Sequence, residues 1–143
     1  MDKLLYDNLT TAQRQFFLKY LYNGVGSGSF PIKPPRFVFS NAAKYHDFAS
    51  WSGGTEKDRI EASREFFHKA HDTIRQQPWR KQPFYYFISY VYYRILKKVD
   101  GMSWSYFTAP AKDWTEFIDH VRQYYIQEGK DIPEYLNGAE AIS

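Results

Sequence analysis

Apolar residues recur along this chain at every third or fourth position, the spacing that lines one face of an α-helix. Thr10 and Thr11 can cap a first helix in which Phe16, Phe17, Tyr20 and Leu21 share a face. Asn23-Gly24-Val25-Gly26-Ser27-Gly28-Ser29 should end it, because alternating glycines release the backbone. Three prolines between Phe30 and Phe37 then require an extended or turned segment. A second helix is expected from near Ser40-Asn41 to just before Gly53-Gly54, with Phe39, Ala42, Ala43, His46 and Ala49 on its apolar stripe. Thr55 caps a third, where Asp58 suits the first-turn dipole. Ile60, Ser63, Phe67, Ala70 and Ile74 make its inner face, and Glu65 and Lys69 can pair on another. A fourth helix, Phe84 to Val99, is aromatic on nearly every side and is expected to be central or interfacial, with Gly101 stopping it. A fifth runs from about Ala111 to Gln127, with Trp114, Phe117, Ile118, Val121 and Tyr125 on one side.

No run alternates in the manner of strands, so the pattern predicts a mainly α fold. Residues 1–130 form a single helical domain on this reading, and residues 131–143 a polar, loose tail. The chain's 143 residues can bury a sizeable core. An aromatic content of 20% raises the amount of ring surface to be buried or used at an interface. Nineteen Lys and Arg against sixteen Asp and Glu give a charge of +3. That excess is too small to argue for nucleic acid, which is disfavoured as a partner. The absence of cysteine excludes disulfides, thiolate metal sites and cysteine nucleophiles. The N-terminus lacks the basic start and apolar run of a signal peptide, and the stretch Phe84 to Leu96 is too short to span a bilayer. A cytoplasmic protein is the default expectation.

The segment from Gly24 to Phe67 carries the chemistry. His46 lies on an apolar stripe and should face another helix, and Asp47 points about a quarter turn away. The imidazole can act as a general base and the carboxylate can hold a cation, toward which a glycine-spaced loop can turn carbonyl oxygens. Asn23-Gly24-Val25-Gly26, Lys33-Pro34-Pro35 and Tyr45-His46-Asp47-Phe48 occur in that order. Trp51-Ser52-Gly53-Gly54-Thr55 and then Glu61-Ala62-Ser63-Arg64-Glu65-Phe66-Phe67 follow. This ordered set resembles the calcium-dependent phospholipase A2 superfamily, in particular its small bacterial and phage-like members, over about a third of the chain.

The resemblance implies two antiparallel helices carrying His46 and Ser63. It further implies hydrolysis of a glycerophospholipid acyl ester by water activated at His46. Calcium would be held by Asp47 and the carbonyls of Gly24, Gly26 and Gly28. Ser63 stands where the family carries the aspartate that orients the imidazole, and a hydroxyl stabilises an imidazolium less than a carboxylate does. In the serine-protease triad, loss of the comparable carboxylate costs about four orders of magnitude. Val25, Ala42 and Ala43 stand where the family often has cysteines. The alternative expectation is a catalytically silent helical module that binds a phospholipid surface or a protein partner through its aromatic face. The pattern specifies no oligomeric state.

Four other groupings have plainer readings. His68 and Asp72, one turn apart, read as a solvated helix face, and His120 after Asp119 as a surface pair. Trp79-Arg80-Lys81 and Arg94, Lys97 and Lys98 are basic groups among rings. They read as side chains snorkelling over a helical core, or as contacts to phosphate.

Overall fold

The computed structural model describes residues 3–22, 36–103 and 109–143. Among them are five α-helices: α1 (Thr11–Tyr20), α2 (Arg36–Ser52), α3 (Glu56–Ile74), α4 (Gln82–Ser103) and α5 (Trp114–Gln127). Short 3-10 turns cover Tyr6–Asn8, Glu134–Leu136 and Ala139–Ala141. The described residues contain no strand, and the fold is mainly α.

Local side-chain chemistry explains where three of the helices begin. The Thr10 hydroxyl accepts from the Gln13 amide, and the Gln13 side chain accepts from the Thr10 amide in return. Thr55 and Asp58 make the same reciprocal cap on α3. A cap of this kind stabilises a helix by about 1 kcal/mol. Asp113 caps α5 through the Glu116 amide at 2.8 Å, so that helix begins at Trp114 rather than near Ala111. Ala111 is instead committed to bridging: its amide donates to Ser52 and its carbonyl accepts from the Leu4 amide.

Two further expected boundaries differ. α2 begins at Arg36, ahead of Ser40-Asn41, immediately after the Pro34-Pro35 pair in sequence. α4 continues through Gly101 to Ser103. A glycine inside a helix costs only about 1 kcal/mol relative to alanine, and it ends a helix only where the backbone takes a left-handed turn. That happens at the turn after α2, where Gly53 and Gly54 have φ of 76° and 131°. A Cβ on Gly54 would lie 2.7 Å from an Asp58 carboxylate oxygen, so the cap and the glycine require each other.

The three-residue turn sends α3 back along α2, and α2 lies between two ring-rich clusters. Phe48 joins Phe17, Trp114, Phe117 and Leu136 in one. Val38, Phe39, Ala42 and Ala43 join Phe66, Ala70, Ile74, Tyr85 and Tyr92 in the other. Phe48 and Phe117 stack at 4.5 Å, and Phe17 meets Phe48 edge-on at 5.4 Å. Fully burying one such ring is worth about 1.5–3 kcal/mol. In the second cluster burial pushes the Tyr92 phenol up to about 12.

The segment after residue 130 is docked rather than loose. Leu136 and Ala139 are buried in the first cluster. The Trp114 indole donates to the Ala139 carbonyl at 2.8 Å, and Arg122 donates to the Leu136 carbonyl at 2.6 Å and pairs with Glu140. The Gln13 side chain holds the Ile142 carbonyl at 2.9 Å. Two apolar anchors on 3-10 turns, together with these hydrogen bonds, seat a segment whose composition is otherwise polar.

Candidate functional site

His46 sits in α2 and is buried. Its ring meets Phe66 of α3 edge-on, with centroids 5.9 Å apart and planes at 79°. The imidazole therefore faces the neighbouring helix. Ser63 lies one turn before Phe66 on the buried face of α3 and is 0% exposed. Its hydroxyl has no hydrogen-bond partner among the described residues. Asp47, next to His46, is half-buried and points away from the stripe. Gly24, Gly26 and Gly28 lie outside the described residues. Among those described, no group of three or more His, Asp or Glu side chains is arranged to hold a metal ion.

The inner face of α3 is turned relative to the expected one. Ser63, Ala70 and Ile74 are buried as expected, joined by Arg59, Ala62 and Phe66, while Ile60 and Phe67 are only half-buried. Phe67 packs toward α4, against Tyr93 at 5.0 Å and His71 at 4.0 Å. Glu65 and Lys69 do pair, at 3.9 Å. His68 is exposed and Asp72 pairs with Arg75 at 2.6 Å. His120, expected at the surface, is buried, and its Nδ1 lies 2.7 Å from the Ser52 carbonyl. A carbonyl only accepts, so Nδ1 carries the proton, and His120 ties α5 to the end of α2. Periodicity missed this because a polar residue on the inner face of α5 looks the same as one outside until its acceptor is known.

A cleft of about 80 Å3 opens between the N-terminal segment and the α2–α3 pair, with Tyr45, Ala49, Asp58, Ala62, Glu65 and Lys69 on its wall. His46 is not on that wall. Asp7 accepts a hydrogen bond from the Tyr45 hydroxyl. Burial first, and the Asp7 carboxylate second, push the Tyr45 phenol up to about 12. The Lys69 ammonium lies 3.9 Å above the Tyr45 ring.

α4 has two unlike faces. Tyr85, Ile88, Ser89 and Tyr92 are buried against α2 and α3. Opposite them Phe84 is 59% exposed, Phe87 60% and Tyr90 48%, and Trp79, just before the helix, is 75% exposed. Arg94 continues this stripe, donating to the Tyr90 hydroxyl at 2.9 Å, and Arg80 lies 5.5 Å over the Trp79 ring. Charge is segregated along the sequence in the same place. Residues 73–99 hold six of the nineteen Lys and Arg and none of the sixteen Asp and Glu, so this stretch is +6 and the remainder of the chain −3. None of the helices among the described residues is long and apolar enough to cross a membrane.

Comparison with protein-family models, with curated proteins and with solved structures yields no match.

Proposed function

We propose that this protein is a phospholipase A2-like acyl-ester hydrolase acting on glycerophospholipid, weakened by Ser63 in place of an orienting aspartate. The observation that carries this reading is the fully buried Ser63 hydroxyl, without a partner among the described residues, on the α3 face that His46 packs against. Leaving a buried hydroxyl unsatisfied costs about 1–3 kcal/mol. A group so placed is available to accept an imidazole N–H when the ring needs orienting. In the proposed reaction neutral His46 takes a proton from water as the water oxygen bonds to the ester carbonyl carbon. The ester C–O bond then breaks, the imidazolium returns its proton to the leaving alcohol, and the products are a fatty acid and a lysophospholipid. Ser63 offers a neutral dipole to the imidazolium where a carboxylate would offer a full charge, so the reaction is slow.

Calcium belongs to this reading by resemblance alone. Of its expected ligands Asp47 is among the described residues and Gly24, Gly26 and Gly28 lie outside them, and no step is routed through the ion.

The test is release of fatty acid from phospholipid vesicles by the full chain, with and without a calcium chelator. Slow release that disappears in His46→Gln, and rises about tenfold or more in Ser63→Asp, supports the assignment. Release unaffected by His46→Gln rejects it. The exposed stripe on α4 favours a second reading, a catalytically silent module that binds a surface; vesicle binding with no product at all would select it.

A further inference from the structure

We infer that the outer face of α4 is a docking surface for an anionic phospholipid bilayer. The inference rests on the lipid-surface part of the reading above and is independent of the chemistry at His46.

Phe84, Phe87 and Tyr90 follow one another at intervals of three, so they occupy one side of the helix, and Arg94 extends the row by a turn. Trp79, just ahead of the helix, has the largest exposure of any big apolar side chain described. Phe84, Phe87 and Tyr90, left in water along one side of a helix, make an apolar row of the kind that marks a contact site. Tryptophan, phenylalanine and tyrosine are also the rings that settle at the boundary between headgroups and acyl chains, where an apolar body and a polar edge are both satisfied.

Charge selects the occupant. Arg80, Lys81 and Arg94 border the rings, and no acidic residue occurs anywhere from 73 to 99. The rest of the chain carries a net negative charge. A bilayer with anionic headgroups therefore attracts this basic stretch more than the rest of the chain, which favours its approach before any ring is inserted. A second copy pairing through the same face would bring two such basic rows together, and like charges oppose that pairing. The helix lies in the plane of the interface on this account, since it does not meet the requirement for spanning.

The experiment is co-sedimentation of the full-length chain with vesicles of phosphatidylcholine alone and of phosphatidylcholine with phosphatidylglycerol. Binding is measured at low and high salt, with released fatty acid assayed on the same samples. Partitioning about tenfold or more stronger on the anionic vesicles, and weakened by salt, is expected. The variants Phe84→Ser/Phe87→Ser and Arg80→Ala/Lys81→Ala/Arg94→Ala should each reduce it about tenfold or more while circular dichroism and the melting temperature stay unchanged, because every substituted side chain is exposed. Equal binding to both vesicle types overturns the inference, as does binding that survives both variants or no binding to either vesicle. A concentration-dependent dimer that the same variants dissolve overturns it in favour of a second copy. Docking without product leaves this surface standing and removes the hydrolase; product formation with no preference for anionic vesicles does the reverse.

Discussion

Aromatic side chains occupy two contrasting regions of this molecule. Around Phe48 the rings of Phe17, Trp114 and Phe117 contact one another in stacked and edge-on pairs, sealed by Leu136 and Ala139 from the C-terminal segment. On the outer side of α4 the rings of Phe84, Phe87 and Tyr90 stand in solvent beside arginine and lysine. The residue types are nearly the same, and what differs is the company. Rings among rings lose water and gain dispersion contacts, so they hold the fold. Rings beside cations on α4 keep their contact with water. A high aromatic content therefore says nothing about use until the neighbours of each ring are known.

The strongest way to break the comparison is to remove one ring from each region. Phe117→Ala should destabilise the fold by about 3–5 kcal/mol in denaturant titration, through lost burial and the cavity left behind. Phe87→Ala should change stability by no more than about 0.5 kcal/mol. A comparable loss from the two substitutions would mean that the α4 face is covered in solution.

Next in size is the seating of the C-terminal segment on the first region. Trp114→Phe keeps most of the ring but leaves the Ala139 carbonyl without its donor, for an expected cost of about 1–3 kcal/mol. Hydrogen exchange should quicken around residues 134–142, and unchanged exchange there would show that burial of Leu136 alone seats the segment.

Ser63→Ala sharpens the picture between the two regions. Removing a buried hydroxyl with no partner should leave stability unchanged or raise it by about 1 kcal/mol, while any hydrolysis falls. A clear loss of stability would mean that the hydroxyl is hydrogen-bonded in solution.

The smallest effect is expected from His71, whose ring lies between Phe67 and Tyr86 on the inner side of α4. Burial lowers its pKa, with Arg75 and His68 acting in the same direction and the Asp72 carboxylate opposing them. The unfolded chain therefore takes up a proton at a higher pH than the folded one. The contribution is complete above the ordinary histidine pKa of about 6.5 and is lost as pH falls from there toward the lower folded value. Melting temperatures measured from pH 7.5 to 5 should fall less in His71→Phe than in the parent, and parallel curves would remove His71 from the account.

Much of the local structure was legible in the residues themselves. Thr10 with Gln13 and Thr55 with Asp58 mark helix starts because a cap is made within four residues, and Gly53-Gly54 marks a turn because its backbone excludes side chains. The inward direction of His46 was legible from its place on the apolar stripe of α2, and the short turn leaves α3 packed along α2. The end of α4 was not legible, because Gly101 alone does not force a left-handed backbone. Neither was the docking of residues 131–143, whose two anchors, Leu136 and Ala139, are too few to stand out from a polar background.

What the sequence determined alone is therefore the set of helices, the Thr10 and Thr55 caps, the tight α2–α3 turn, and the charge segregation between residues 73–99 and the rest. All of these depend on neighbours close along the chain. Tertiary structure alone decided which rings are core and which are surface, that Ser63 is buried with no partner among the described residues, and that His120 is spent on the Ser52 carbonyl. Those outcomes depend on residues tens of positions apart, and burial is a property of what arrives from elsewhere in the chain.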